Sequence, residues 1–101
     1  MAEAAKKGFW IAHVEVTDPE RYKQYVAGTV APFKEFGAKF HARGGTSEIL
    51  EGDLVGARHV IIEFKDLATA KACWSSPDYQ AAREHRLAAS TGSVTIVEGT
   101  E

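Results

Sequence analysis

The sequence is poor in cysteine, with one in 101 residues. Cys73 alone cannot form a disulfide within the chain, so a reducing, cytoplasmic setting is expected. It sits beside Trp74 in a helical stretch, without the Cys/His spacing that would suggest a metal, and reads as a buried, inert thiol. No excess charge of either sign is present either. Twelve Lys and Arg stand against 14 Asp and Glu, giving a net charge of -2. That balance gives no electrostatic reason to expect nucleic acid or an anionic membrane as partner. No apolar run approaches the roughly 20 residues of a membrane span. The opening MAEAAKKGFW mixes acid and base and lacks the apolar centre of a signal peptide, so neither a membrane nor an exported protein is expected. Repeats, linkers and low-complexity segments are missing as well.

What is present is an ordinary soluble composition, 45% hydrophobic and 26% charged, which predicts one domain over residues 1–101. A domain of this size buries about two-thirds of its unfolded surface, so covering more by self-association would help it. The stretch from Arg58 to Arg86 organises the rest: a strand, ARHVIIEF, feeds a helix in two parts. Val60, Ile62 and Phe64 share one side of the strand and read as core. His59, Ile61 and Glu63 share the other, too apolar for bulk water and too ionisable for a dry core. Phe9 to Val16 repeats the pattern, with Trp10, Ala12, Val14 and Val16 on one face and Phe9, Ile11, His13 and Glu15 on the other. Two strands with the same mixed face are expected to be sheet neighbours.

Between them, Asp18 caps a helix with Pro19 at its first position. Its apolar stripe runs Tyr22, Tyr25, Val26, Thr29, Phe33 and Phe36; Pro32 is expected to bend it, and Gly37 to end it. Lys39 to Arg43 is a short strand alternating Phe40 and Ala42 against Lys39, His41 and Arg43. Gly44-Gly45 reads as a bulge or bend, Thr46 to Glu51 as extended chain, and Gly52 to Gly56 as a turn. Asp66 caps the next helix, Ser76-Pro77 interrupts and recaps it, and Tyr79, Arg83 and Arg86 share a face of its second part. Thr91-Gly92 is expected to break that helix before a last strand, Ser93 to Glu98.

Strand, helix, strand, strand, helix, strand is the order of a split βαβ unit, a ferredoxin-like α+β fold with both helices on one face of an antiparallel sheet. The bare face would then carry Phe9, Ile11, His13, His59, Ile61 and Glu63, and a second copy of the same sheet would cover it, giving a homodimer. The segments DPERYKQY, GAKFHARGGTSEILEG, RHVIIEF and SSPDYQAAREHR together resemble the uncharacterised DUF1330 family, from Phe9 to Gly99. That family belongs to the dimeric α+β barrel superfamily. The resemblance implies a ferredoxin-like fold and a dimeric barrel, without implying a known activity.

Two sets of residues are candidates for chemistry. His13, His59 and Glu63, with His41 or Arg43 if the short strand turns them inward, combine bases with a carboxylate. None of these spacings is a metal-ligand motif, so no metal is expected, and polar groups satisfied across a dimer interface explain them equally well. Tyr79, Arg83 and Arg86, with Trp74 near, would let an arginine grip an anion against aromatic surface, and Tyr22 would border a pocket near the helix start. The alternative for Arg86 is a structural ion pair with an acidic side chain. Dimeric α+β barrels include cofactor-free oxygenases, isomerases, dehydratases and haem-handling enzymes; no histidine here has the apolar setting haem would need, and no cofactor is expected. By that analogy the expectation is a small cytoplasmic homodimer binding a small organic acid or aromatic compound; if it is a cofactor-free enzyme, His13 or His41 is the expected base and Arg86 the anion holder. His13 and Arg86 are expected to line one site. A purely structural barrel is the competing reading, and a solvent-connected cavity holding His and Arg together would decide against it.

Overall fold

The computed structural model describes residues 6–54 and 56–100. The segment read for a signal peptide lies, through residue 5, outside the described residues, and so does Val55 of the Gly52 to Gly56 turn. The elements are β1 (Gly8–Val16), α1 (Pro19–Glu35), β2 (Lys39–Arg43), β3 (Arg58–Phe64), α2 (Leu67–Ser75), α3 (Pro77–Ala89) and β4 (Ser90–Glu98). The strands form an antiparallel sheet in the order β2-β3-β1-β4, with the two mixed-face strands at its centre. This is the ferredoxin-like α+β arrangement, its second helix divided into α2 and α3.

The helix ends follow from local chemistry. The Asp18 carboxylate accepts from the Arg21 N–H at 3.2 Å and that of Asp66 from the Thr69 N–H at 2.7 Å. The two hydrogen bonds from Thr69 hold the Asp66 carboxyl below its ordinary range. Ser76 does double service between α2 and α3: its hydroxyl donates to the Cys73 carbonyl at 2.7 Å and accepts from the Tyr79 N–H at 3.3 Å. α1 continues through Pro32 for a further turn to Glu35. It stops where Gly37 turns left-handed at φ 69°, so that Gly37 N–H and Ala38 N–H donate to the Lys34 and Phe33 carbonyls.

All three helices cover one face of the sheet. Trp10 centres the larger core cluster, its ring 4.9 Å from Tyr79, 5.3 Å from Phe64, 5.4 Å from Phe33 and 5.7 Å from Trp74. Each such pair adds about 0.5–1.5 kcal/mol beyond the burial of its area. Its indole N–H donates to the Ala70 carbonyl at 2.9 Å, so the tryptophan leaves no polar atom unmet. Val14, Tyr22 and Ala89 form a second, smaller cluster. α1 and α3 meet where Gly28 faces Ala82; a Cβ on Gly28 would lie 2.9 Å from the Ala82 methyl.

Two expectations are corrected, and of the bulge or bend expected at Gly44-Gly45 the structure has the bend. The bulge of β2 falls at His41 and not at Gly44-Gly45, because Phe40 pairs with Ile62 and Ala42 already pairs with Ile61. Gly44 only bends the chain, at φ 69°. Thr46 to Glu51 has no ladder partner and is exposed, so it is loop. Thr91-Gly92 does not break the chain between helix and strand: α3 ends at Ala89, and β4 starts at once with Ser90. Gly92 lies within that strand at φ 149°, opposite Val14, where any side chain would overlap the His13 carbonyl oxygen.

Candidate functional site

A cavity lies between the sheet and helices α1 and α3, lined by members of both core clusters. Its volume is about 40 Å³, room for a few water molecules. The sheet provides an apolar floor: Trp10, Ala12 and Val14 from β1, Val60 and Ile62 from β3, Val94 from β4. Strand alternation puts these on one face, as the sequence pattern requires. Tyr22, Tyr25 and Thr29 line it from α1, and Tyr79 and Arg86 from α3, at the helical spacing that turns each stripe inward. Arg43 and Arg58 also reach the lining.

Arg86 is 7% exposed, yet among the described residues it has no acidic partner and no acceptor for its Nε. Its guanidinium lies 5.8 Å from the centre of the Tyr25 ring. The expected alternative of a structural ion pair is therefore absent among those residues. The Tyr25 and Tyr79 hydroxyls are 3.1 Å apart. Burial, followed by the neighbouring Tyr79, pushes the Tyr25 phenol far above its ordinary range, which keeps it a proton donor. Tyr79 is fully buried, so its hydroxyl has Tyr25 and the cavity as its surroundings. The arrangement can hold one negative oxygen between a guanidinium and a phenolic O–H.

Arg43 is present because of the bulge. Plain alternation would keep it beside His41 on the other face, but the extra residue pairs Arg43 with Val60 and turns it to the helix side, 4.3 Å over the Phe40 ring. Arg58 opens β3 and lies 5.5 Å from the Tyr22 ring centre. Arg43 was expected only beside His13, His59 and Glu63 on the other face, and neither Arg58 nor Tyr25 is a candidate that the sequence pattern singled out. The available signal was a phenol in the middle of an apolar stripe, with Arg43 just before the Gly-Gly bend and Arg58 at the start of the next strand.

The remaining sequence candidates divide. Tyr22, Tyr79 and Arg86 meet in the cavity, whereas Trp74 is outside its lining and packs on Trp10 with Arg83 5.4 Å from its ring. His13, His41, His59 and Glu63 stand on the sheet face that carries no helix. There the His13 and His59 Nδ1 atoms are 2.9 Å apart, one donating and the other accepting, and His41 Nε2 is 3.0 Å from the Glu63 carboxylate. His13 and Arg86 thus lie on opposite sides of β1 and do not line one site. The cavity has an arginine without a histidine. Among the described residues no group of three or more His, Cys, Asp or Glu could hold a metal, and no helix is long and apolar enough to cross a membrane.

Residues 7–100 match the model of the family described as domain of unknown function DUF1330. The chain belongs to that family. Among solved structures, it is similar to the RPA0582 protein of unknown function from Rhodopseudomonas palustris, with 19% identity, a TM-score of 0.78, and 95% of this chain and 84% of that one covered. It is also similar to SnoaB, a cofactor-independent oxygenase from Streptomyces nogalater, at 16% identity and a TM-score of 0.65 with 96% of each chain covered. A conserved protein of unknown function from Bacteroides thetaiotaomicron shares 9% identity at a TM-score of 0.67, over 94% of this chain and 99% of that one. At these identities the likeness is one of fold. No curated protein matches the sequence.

Proposed function

We propose that this DUF1330 protein binds a small organic acid or aromatic compound in the cavity between sheet and helices, with Arg86 holding its negative group. The observation that carries this reading is the buried guanidinium without an anion, set against tyrosines. A buried, unsatisfied donor on a cation is costly, and charge-assisted hydrogen bonds from a ligand oxygen would relieve it. Tyr22 and Tyr25 line the same space from α1, and because about 40 Å³ holds only a few waters, an aromatic body enters only where α1 yields. The reading extends to chemistry on the bound compound without a cofactor, for which the fold likeness to SnoaB is the support. In that chemistry Arg86 and the Tyr25 hydroxyl would stabilise a negative oxygen as it develops. The bases proposed from the sequence, His13 and His41, are outside the cavity and would act only at a second site on the bare sheet face.

The same proposal includes a cytoplasmic homodimer formed through that face. Ile11 and Ile61 pair at its centre, Phe9 and Ala42 flank them, and Val97 at the β4 edge is 43% exposed. Such an apolar band, interrupted by His13, His59 and Glu63, suits a self-complementary contact. Native mass spectrometry of protein purified from its host tests the binding reading. A retained small acid, lost in Arg86→Met, is the expected result, and protein free of any small molecule that also fails to take up benzoate or a simple aliphatic acid would contradict it.

A further inference from the structure

His13 of β1 and His59 of β3 stand opposite each other on the sheet side that carries no helix, and their Nδ1 atoms are 2.9 Å apart. The ring centres are 5.1 Å apart, with the planes inclined at 72°. Sequence spacing gives no sign of the pair, because the two residues are 46 positions apart and only the antiparallel register joins them. Both rings are half-buried, so solvent reaches them. Their neighbours on that face are Ile11 and Glu15 along β1, Ile61 along β3 and Ser93 across on β4, with no Lys or Arg among them to repel a cation. The other polar pair of the face, His41 and Glu63, bond each other at 3.0 Å and are set apart by the row of Ile11 and Ile61.

Between two neutral imidazoles, one Nδ1–H donates to the other Nδ1. Moving that proton to Nε2 of its own ring changes the tautomer and no charge, and leaves two Nδ1 lone pairs at the same place. With metal–nitrogen bonds of about 2.0–2.1 Å, nitrogens 2.9 Å apart subtend about 90° at a metal, whereas a tetrahedral centre needs them about 3.4 Å apart. A right angle is the cis angle of square-planar and octahedral sites, which copper(II) and nickel(II) take with imidazole ligands. We propose that His13 and His59 chelate one divalent cation of the copper(II) or nickel(II) class through their Nδ1 atoms, with the other coordination positions open to water or a ligand oxygen. In the homodimer proposed above, those open positions face the partner copy. The site lies on the opposite side of β1 from the cavity, so it stands or falls without the reading of Arg86.

The test is a titration of the full chain with copper(II), with free glycine present to compete for weak surface sites, followed by electron paramagnetic resonance and by paramagnetic broadening in nitrogen-15 spectra. The expected result is saturation at one copper per chain, splitting from two imidazole nitrogens, and broadening strongest at His13 and His59. His13→Gln and His59→Gln should each weaken binding about 100-fold, because the second imidazole no longer acts at high effective concentration. His85→Gln, on α3, should leave it within about twofold, the scale of an independent site. The broadening in the wild type decides the matter if a variant fails to fold. Absence of saturable binding, broadening centred on His41, His85 or the amino terminus, or unchanged affinity in both His13→Gln and His59→Gln overturns the proposal. Displacement of the copper by an equal concentration of zinc overturns the right-angled geometry.

Discussion

The hydroxyl of Tyr79 on α3 meets that of Tyr25 on α1 at 3.1 Å, the one side-chain hydrogen bond between aromatic residues of the two helices among the described residues. Removing Tyr25 Oη leaves the fully buried Tyr79 hydroxyl without its protein partner. Tyr25→Phe is therefore expected to cost about 1–3 kcal/mol of stability in urea denaturation. The double change Tyr25→Phe with Tyr79→Phe should cost less than the sum of the two single ones, because the second removes the orphaned group. Additive costs would mean that the pair is not coupled.

Gly92→Ala is expected to destabilise the fold by more than about 2 kcal/mol, since it combines a left-handed φ of 149° with overlap on the His13 carbonyl. Gly45→Ala serves as the control: a Cβ there meets nothing within 4 Å. Thermal denaturation that ranks the two variants alike would contradict the register of β4 against β1.

Cys73 is fully buried, and burial pushes its thiol up to about 12. The neutral thiol is a poor nucleophile, so native protein at pH 8 should resist a disulfide reagent and react only when urea unfolds it. Rapid labelling of the native chain would place the residue outside the core.

Ile61→Lys sets a cation at the middle of the bare sheet face, beside Ile11. If a second copy covers that face, the unpaired charge splits or unfolds the dimer. Sedimentation should show a wild-type dimer and a monomeric or unfolded variant at micromolar concentration. A stable wild-type monomer would sink the dimer proposal.

The sequence pattern made the central strands legible because their alternation is long and strongly apolar on one side. β2 and β3 begin and end at the residues expected, and the caps at Asp18, Asp66 and Ser76 are where the side-chain chemistry requires them. The cavity was only partly legible. KFHAR alternates well enough to hide a bulge, and a single inserted residue reverses the face of Arg43, which no periodicity over five residues reveals. Tyr25 was readable as part of a stripe, while its role depends on meeting Tyr79 from 54 positions away. His13 and Arg86 failed to meet for a topological reason: they come from opposite sides of the same strand, and only placing the helices on the sheet separates them. The loop from Thr46 to Glu51 misled because β-prone residues such as Thr46 and Ile49 need a ladder partner as well as propensity.

The central claim is that Arg86 is an anion holder in the cavity. The most direct measurement is a benzoate titration of the wild type and Arg86→Met, followed by nitrogen-15 shifts of the arginine Nε–H groups and the backbone of Tyr25 and Tyr79. The account predicts saturable shifts at Arg86, Tyr25 and Tyr79 in the wild type, with affinity lowered about 10–100-fold in Arg86→Met. Saturable shifts confined to the His13 and His59 face, or the same affinity in Arg86→Met, would contradict it.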